Sequence, residues 1–253
     1  MKLNIRVSLN SDVGCIRSNN EDIILILGET YRDCSDDFVV SVNDKGRFVA
    51  ALADGMGGHN AGEIASEMAV KAFDSFIINL PENLSDHDFR NLVDNEIKEI
   101  HNQLINYGFS DPEAFGLGTT LIAFVTCENR IYLINVGDSR IYRFRNGILC
   151  QLTRDHSEQN RQNDSSLPSN LIYNCLGGGG ESAFADVMEI TGKVYENDTF
   201  MLCSDGLSDM VSEEDMELTM NESFSARNLV KKAKSNGGKD NVSVLLLKIN
   251  SID

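Results

Sequence analysis

Residues 47–63 read RFVAALADGMGGHNAGE, an apolar run followed by Asp54, four glycines and the start of a helical pattern. We predict a strand over 47–52 and a helix over 61–80, so that Asp54 lies between a strand end and a helix start. Glycine lets the backbone approach a ligand closely, and an acidic residue at a strand end can serve as a ligand for a hard cation. An isolated Asp-Gly step is better explained as a capped turn, but the density of glycines favours a ligand site.

Two further carboxylates lie at the edges of apolar segments. Asp205 follows the predicted strand 199–203, and Asp240 precedes the predicted strand 242–247. Each of them alone is more often a turn or a helix cap. Carboxylates that converge without a cation would repel one another, so three of them together indicate a Mg²⁺ or Mn²⁺ site.

The rest of the chain alternates between strand and helix patterns. Further strands are predicted at 5–9, 23–27, 38–42, 119–126, 130–135, 141–145 and 148–152. Further helices are predicted from Ser85 onwards and over 225–234. The strands 38–42 and 47–52 are interpreted as a hairpin, and the four strands from 119 to 152 as a meander. We therefore predict one α+β domain over residues 1–253, with two packed sheets and helices outside.

The overall charge restricts the classes of partner. The 39 acidic and 22 basic residues give a net charge of -17, which opposes binding to nucleic acid or to an anionic membrane. The same charge would repel a phosphoprotein unless bound cations reversed the local potential. Six widely spaced cysteines and the absence of a long apolar run in the sequence predict a soluble, cytoplasmic protein with reduced thiols.

Seven motifs, in order along the chain, resemble those of the metal-dependent protein phosphatases of type 2C, in particular the bacterial members. The motifs are Asp12-x-Gly14-x-x-Arg17-x-x-Asn20-Glu21-Asp22, Asp54-Gly-Met-Gly-Gly-His, Gly118-Thr119-Thr120, Gly137-Asp138-Ser139-Arg140, Leu152-Thr153-x-Asp155-His156, Ser204-Asp205-Gly206-Leu207 and Gly237-Gly238-x-Asp240-Asn241. Together they span nearly the whole chain. The resemblance implies a central β-sandwich of two antiparallel sheets flanked by helices, in α-β-β-α layers, with a short flap over 157–174.

The resemblance also implies a set of metal ligands for Mn²⁺ or Mg²⁺. Asp54 would bridge two core ions, and Asp205 and Asp240 would complete the binding of one of them. The Gly55 carbonyl and, through water, Glu21 would complete the other. A third, weaker ion is implied by two more positions that act with Asp205, and these are Asp138 and Asp209.

Arg17 corresponds to the family's ligand for the substrate phosphate. A planar guanidinium can bind two phosphate oxygens at once, which suits this role. The alternative is a surface ion pair with Glu21, four residues on. Met56 stands where many eukaryotic relatives carry a histidine, so the usual general acid is missing. Of the histidines, we expect His101 to be an ordinary helix-surface residue.

By this resemblance the protein would be a serine/threonine phosphatase that uses a metal-activated water and forms no phosphoenzyme. Its partners would be phosphoproteins, as targets of a serine/threonine kinase, and it would be a monomer that binds neither nucleic acid nor membrane. Two alternatives stay open. One is a catalytically silent phosphoprotein-binding module on the same fold, although such proteins usually lose metal carboxylates. The other is an unrelated metallohydrolase or nucleotide-binding enzyme, which lacks support because the sequence has no phosphate-loop or H-x-x-x-H motif.

Overall fold

The structure is a computed structural model that describes residues 1–43, 46–57, 61–164, 166–168 and 171–252. Its strands are β1 (Leu3–Asp12), β2 (Asp22–Ile26), β3 (Glu29–Tyr31), β4 (Ser35–Val42), β5 (Phe48–Met56), β6 (Gly118–Thr119), β7 (Leu121–Cys127), β8 (Arg130–Val136), β9 (Arg140–Arg145), β10 (Ile148–Gln151), β11 (Leu176–Gly177), β12 (Asp186–Glu189), β13 (Thr199–Cys203) and β14 (Val242–Ile252). Its helices are α1 (Ala61–Asn79), α2 (Asp86–Ser110), α3 (Glu158–Gln162), α4 (Asp205–Ser208), α5 (Glu213–Glu222) and α6 (Ala226–Ser235).

The strands form two antiparallel sheets. The first sheet has the order β10-β9-β13-β14-β1-β4, and the second has the order β11-β6-β5-β7-β8-β12, with β2 joined to β5 and β3 joined to β2. Strand β14 lies in the middle of the first sheet, where it pairs with β13 on one side and with β1 on the other.

Alternation along β5 shows why both faces of the second sheet are apolar. Phe48, Ala50 and Leu52 are buried against the first sheet, whereas Val49 and Ala51 are buried on the opposite face with residues of α1 and α2. Successive side chains of a strand point to opposite faces, so a strand between two layers is apolar at every position.

Each gap between layers is filled by aromatic or aliphatic side chains. The rings of Phe124 and Phe200 pack 5.1 Å apart between the sheets. On the outer face of the second sheet, Phe89 of α2 stacks on Tyr132 of β8 at 4.0 Å. Buried residues of α4, α5 and α6, including Leu229, pack on the outer face of the first sheet. The predicted α-β-β-α sandwich is therefore confirmed.

Two of the predicted strand pairings are wrong. Strand β4 pairs with β1 in the first sheet, whereas β5 pairs with β2 and β7 in the second, so these consecutive strands form no hairpin. Residues 44 and 45 of the connecting turn lie outside the described residues. The predicted meander is also divided, because β7 and β8 pair in the second sheet and β9 and β10 in the first. An apolar pattern indicates a strand but does not identify its neighbour.

The predicted helices agree with the structure at their starts. Helix α2 begins after Ser85, whose Oγ accepts a hydrogen bond from the Asp88 backbone N–H at 3.1 Å. The predicted flap contains α3 and is joined near its ends by a β-bridge between Ser157 and Ile172, with residues 165, 169 and 170 outside the described part. None of the helices that the structure describes is long and apolar enough to cross a membrane.

Candidate active site

The predicted metal ligands come together at one end of the sandwich. Glu21 precedes β2, Asp54 lies near the end of β5, Asp205 follows β13, and Asp240 precedes β14. They line one pocket of about 250 Å³ together with other predicted and unpredicted residues. The lining residues are Arg17, Glu21, Asp54, Gly55, Met56, Gly57, Thr120, Asp138, Ile172, Asp205 and Asp240.

Strand pairing places Glu21 beside the turn after β5. Asp22 lies directly opposite Asp54 in the β2–β5 pair, and the Gly55 N–H donates to the Glu21 carbonyl at 3.2 Å. A Cβ atom at position 55 would lie 2.0 Å from the Gly62 carbonyl oxygen. Only glycine fits this contact between the end of β5 and the start of α1.

The backbone of Asp54 is held from the other side by two threonines. The Asp54 carbonyl accepts hydrogen bonds from Thr119 Oγ1 and from the Thr120 N–H, each at 2.9 Å, and the Asp54 N–H donates to Thr120 Oγ1 at 3.0 Å. Thr120 Oγ1 also lies 2.8 Å from Ser139 Oγ, next to Asp138. The Gly-Thr-Thr segment therefore connects the strand end of Asp54 with the loop of Asp138.

Asn241 connects the loops of Asp240, Glu21 and Arg17. Its Oδ1 accepts from the Glu21 N–H at 2.8 Å, and its Nδ2 donates to the carbonyls of Val13 and Asn19 at 3.0 and 2.9 Å. All these loops are irregular, so the amide side chain satisfies backbone groups that no strand or helix satisfies.

Beneath the pocket lies a buried polar network around Asp22. The Ser204 hydroxyl donates to Asp22 Oδ2 at 2.7 Å and accepts from the Ser243 N–H at 3.0 Å. The Ser243 hydroxyl lies 2.9 Å from Ser11 Oγ. Asp22 Oδ1 has no hydrogen-bond partner in the described structure. The network joins the strand ends that precede Asp205 and follow Asp240.

Burial and mutual repulsion disfavour the ionised form of these carboxyls. Burial raises the pKa of Asp54 well above its usual range, and the charges of Asp22, Asp205 and Asp138 raise it further. Burial and the neighbouring Asp209 raise the pKa of Asp205 to about 6. Burial and Asp205 raise the pKa of Asp138 to about 7. A divalent cation would relieve this repulsion.

Two predicted residues have surroundings that the sequence did not indicate. Asp209, predicted as a ligand of a third ion, does not line the pocket, although its charge raises the pKa of Asp205 and Asp138. Arg17 forms an ion pair with Asp240, with 2.7 Å between its Nη2 and Oδ2 of the carboxylate. The ion pair with Glu21, which was the alternative for Arg17, is not formed.

The sequence shows which family this arrangement belongs to. Residues 31–237 match the family protein phosphatase 2C. The chain belongs to the protein phosphatase 2C family. The fold and the enzyme class that the motifs predicted, a metal-dependent protein phosphatase, are thereby confirmed.

Bacterial relatives of type 2C match along almost the whole chain. The serine/threonine phosphatase stp of Listeria welshimeri is 33% identical over 260 residues, which cover 97% of this chain and 96% of the relative. The protein phosphatase PhpP of Streptococcus pneumoniae is 31% identical, covering 98% of this chain and 99% of the relative.

Solved structures of type 2C proteins share the fold. The serine/threonine phosphatase of S. agalactiae is 30% identical, has a TM-score of 0.80 and covers 97% of this chain and 99% of that one. The catalytic domain of PstP in complex with 2 manganese ions is also 30% identical, has a TM-score of 0.75 and covers 98% of this chain and 100% of that one.

The donor set of the pocket fits the ions of a type 2C phosphatase. The pocket offers carboxylate oxygens and the Gly55 backbone, which are the hard donors that Mg²⁺ and Mn²⁺ prefer. Within the described ranges, however, no three acidic, histidine or cysteine side chains form a preformed ion site. Asp240 is paired with Arg17, so a cation would compete with the guanidinium for that carboxylate.

Some features in and around this pocket were missed in the sequence. The interpretation of His101 as a surface residue is wrong, because its side chain is buried and its Nδ1 accepts from the Gly177 N–H at 3.1 Å. Ile172 of the flap lines the pocket, and no motif indicated it. His59 lies outside the described residues.

Proposed function

We propose that this protein hydrolyses phosphoserine and phosphothreonine in proteins, with Asp54, Asp205, Asp240, Glu21 and the Gly55 carbonyl holding two divalent cations. The observation that carries the proposal is the convergence of these groups, together with Asp138 and Arg17, in one pocket. Repelling carboxyls at this density serve no evident structural purpose, because each would be more stable in water or paired. Names of relatives such as serine/threonine phosphatase stp support the same substrate class.

The bound cations would supply electrostatic stabilisation of the phosphoryl oxygens and would lower the pKa of a water molecule to make it a nucleophile. Asp54 would be a ligand of the cations, and its backbone is held in place by hydrogen bonds with Thr119 and Thr120. Asp138 and Asp209 would contribute to a third site beside Asp205. We propose Mn²⁺ as the ion to test first, because the PstP structure contains manganese.

Arg17 would bind the phosphate group of the substrate. Its side chain is half exposed at the mouth of the pocket, with 52% of its side-chain surface accessible, so it can reach an incoming ligand. The pair with Asp240 uses Nη2 of the guanidinium. A cation held by Asp240 would compete for that carboxylate and leave all the N–H groups of the guanidinium free for phosphate.

The cysteines support a cytoplasmic location. Cys15 and Cys150 are exposed, Cys34 and Cys175 are partly exposed, and all six cysteines are unpaired. Exposed free thiols persist in a reducing compartment. We propose that the substrates are phosphoproteins made by a serine/threonine kinase in that compartment, and that the whole of residues 1–253 acts as one monomeric domain.

A kinetic experiment tests the proposal. Turnover of a phosphothreonine peptide and of a small aryl phosphate should depend on added Mn²⁺ and should be abolished by EDTA, because carboxylate ligands hold such ions reversibly. Re-addition of Mn²⁺ should restore it. Binding of the phosphopeptide without turnover at any Mn²⁺ or Mg²⁺ concentration would instead support the silent binding module. Full turnover by the metal-stripped protein would refute the role of the cations.

A further inference from the structure

A basic segment stands out in this acidic chain. Residues 223–239 contain Arg227, Lys231, Lys232, Lys234 and Lys239 and no aspartate or glutamate, although the whole chain has 39 acidic residues. Helix α6 buries its apolar side chains, among them Leu229 and Val230, against the first sheet. The cationic side chains of α6 therefore lie on the surface.

Three of these cations line a groove of about 710 Å³ between α6 and the chain around the end of β1 and the start of β4. The lining residues are Asn10, Ser11, Asp12, Val13, Asp33, Cys34, Ser35, Arg227, Val230, Lys231 and Lys234. Both carboxylates of the groove are already bonded. Asp12 accepts from Lys234 Nζ at 2.7 and 2.8 Å, and Asp33 accepts from Asn20 Nδ2 at 2.9 Å.

The two remaining cations of the groove are available to a ligand. Lys231 is exposed and forms no salt bridge with any residue that the structure describes. Arg227 is also exposed, and its Nε donates to the hydroxyl of Ser35 at 3.4 Å. Asp36 and Asp37 follow Ser35 at the start of β4, so the basic surface ends there.

The groove and the pocket are lined by neighbouring parts of one loop. Residues 12 and 13 line the groove, and Arg17, four residues further on, lines the pocket. Between them, the Cys15 N–H donates to the Gly238 carbonyl at 2.7 Å, which joins this loop to the segment before Asp240. A peptide that binds across this loop would therefore extend from the pocket towards the groove.

We propose that the groove binds acidic residues that flank the phosphorylated residue of a protein substrate. The inference rests on the proposed function and adds to it a preference for substrates with acidic residues next to the phosphorylated residue. A chain of net charge -17 repels acidic phosphoproteins at long range, and a local basic surface beside the pocket offsets that repulsion where the substrate must dock. Clusters of Arg and Lys are a common means of recognising acidic motifs.

The surroundings limit the ligand to a short acidic segment. Helix α5, which precedes α6, carries Glu213, Glu214, Asp215, Glu217 and Glu222. On the far side of α6, Lys232 pairs with Asp215 at 3.4 Å. A long polyanion such as nucleic acid would meet these carboxylates, whereas a few acidic residues next to a phosphosite fit between α6 and β4.

The experiment compares three phosphothreonine peptides that differ only in their flanks: neutral, acidic on the N-terminal side, and acidic on the C-terminal side. The wild-type protein should show a kcat/KM about fivefold higher for one acidic peptide than for the neutral peptide, as expected for a few exposed ion pairs. Lys231→Glu should remove this preference and leave kcat/KM for the neutral peptide unchanged. The preference should also disappear at about 0.5 M salt, because exposed charges are screened.

Lys193→Glu is the matched control. Lys193 is also exposed, but it lies in a short 3-10 helix before β13, at the opposite end of that strand from Asp205, so the preference should persist in this variant. Equal kcat/KM for all three peptides in the wild type would overturn the inference while leaving the phosphatase activity established. Loss of turnover on the neutral peptide in Lys231→Glu would also overturn it. Failure of the wild type to hydrolyse any of the peptides would instead contradict the proposed function.

Discussion

At the scale of single residues, the Arg17–Asp240 pair separates two roles of Arg17. Both side chains are more than a third exposed, so the pair itself is weak, yet it occupies a carboxylate that a cation would need. We expect Arg17→Ala to bind Mn²⁺ up to about fivefold more tightly, because a competing positive charge is removed. The same variant should show a higher KM for a phosphothreonine peptide, because the phosphate ligand is lost.

Calorimetric titration of Mn²⁺ and steady-state kinetics at saturating Mn²⁺ measure the two effects separately. Arg17→Lys is the control, since it keeps the charge but cannot make a bidentate contact. Its KM should lie between those of the wild type and Arg17→Ala. Weaker Mn²⁺ binding by Arg17→Ala, with unchanged KM, would show that Arg17 supports the cation site.

Asp54 allows a test of the repulsion in the pocket. Its pKa is raised by burial and by the carboxyls around it. Replacing it by a neutral side chain should therefore remove an unfavourable electrostatic contribution to the stability of the metal-free protein. We expect Asp54→Asn to raise the Tm of the EDTA-treated protein by about 2–4 °C, the change that about 1 kcal/mol produces in a chain of this size. Turnover should fall by at least about two orders of magnitude, because positioned electrostatic stabilisation is lost.

Thermal unfolding followed by circular dichroism, with and without Mn²⁺, tests this expectation. Added Mn²⁺ should stabilise the wild type more than Asp54→Asn. A large fall in the Tm of the metal-free variant would mean that Asp54 is a structural cap.

At this scale the sequence predicted most of the residues that line the pocket. Asp54, Asp205, Asp240, Glu21 and Asp138 meet in one pocket, because each lies in a motif next to an apolar strand. The pairing of Arg17 with Asp240 was not predictable, since the two residues are 223 positions apart and only the folded chain brings them together. His101 was assigned to the surface because its hydrogen-bond partners, the backbone groups of Gly177 and Gly180, are more than 70 positions away and cannot be recognised from the neighbouring sequence.

At the scale of secondary-structure elements, Ser204 holds several strand ends together. Its hydroxyl bonds to Asp22 of β2 and to the backbone of Ser243 in β14. We expect Ser204→Ala to lower the free energy of unfolding by about 1–3 kcal/mol, because a buried carboxyl and a buried N–H lose their partner. Turnover should also decrease, because Asp205 is the next residue.

Urea unfolding of the metal-free protein measures the first effect. Ser235→Ala removes a serine hydroxyl from an exposed position at the end of α6 and should change stability by less than about 0.5 kcal/mol. Equal effects of the two substitutions on the free energy of unfolding would show that the network around Asp22 does not contribute to stability.

The strands were predicted well, but their partners were not. The apolar run of β5 marks a buried strand, and the structure confirms it. Yet the neighbouring apolar runs 38–42 and 47–52 were interpreted as a hairpin, whereas the chain crosses there from the first sheet to the second. In a sandwich the strands of both sheets face the same apolar layer, so burial patterns are alike in the two sheets and do not distinguish between them.

At the scale of the whole molecule, the raised carboxyl pKa values make metal-free stability depend on pH. The pKa of Asp138 is about 7 in the folded protein, whereas an aspartate in an unfolded chain has a pKa of about 3.9. The folded state therefore binds more protons between these values, and its stability falls as the pH rises from about 4 to about 7. We expect Asp138→Asn to remove part of this decrease.

Urea unfolding in EDTA at several pH values from 5 to 8 checks this expectation as the difference between wild type and Asp138→Asn, so that titrating groups away from the pocket cancel. The difference should grow with pH and level off above about pH 7.5. A difference that does not change with pH would mean that Asp138 titrates in the folded protein as it does in the unfolded chain.

The position of β14 sets a condition on when the site can exist at all. This strand, Val242–Ile252, lies between β13 and β1 in the middle of the first sheet, and Asp240 stands directly before it. During synthesis, β1 is made long before β14, so the edge of β1 that β14 covers has no partner until the last strand of the first sheet has been made. We therefore expect a chain that ends before Asp240 to lack both a cation ligand and the central strand of this sheet.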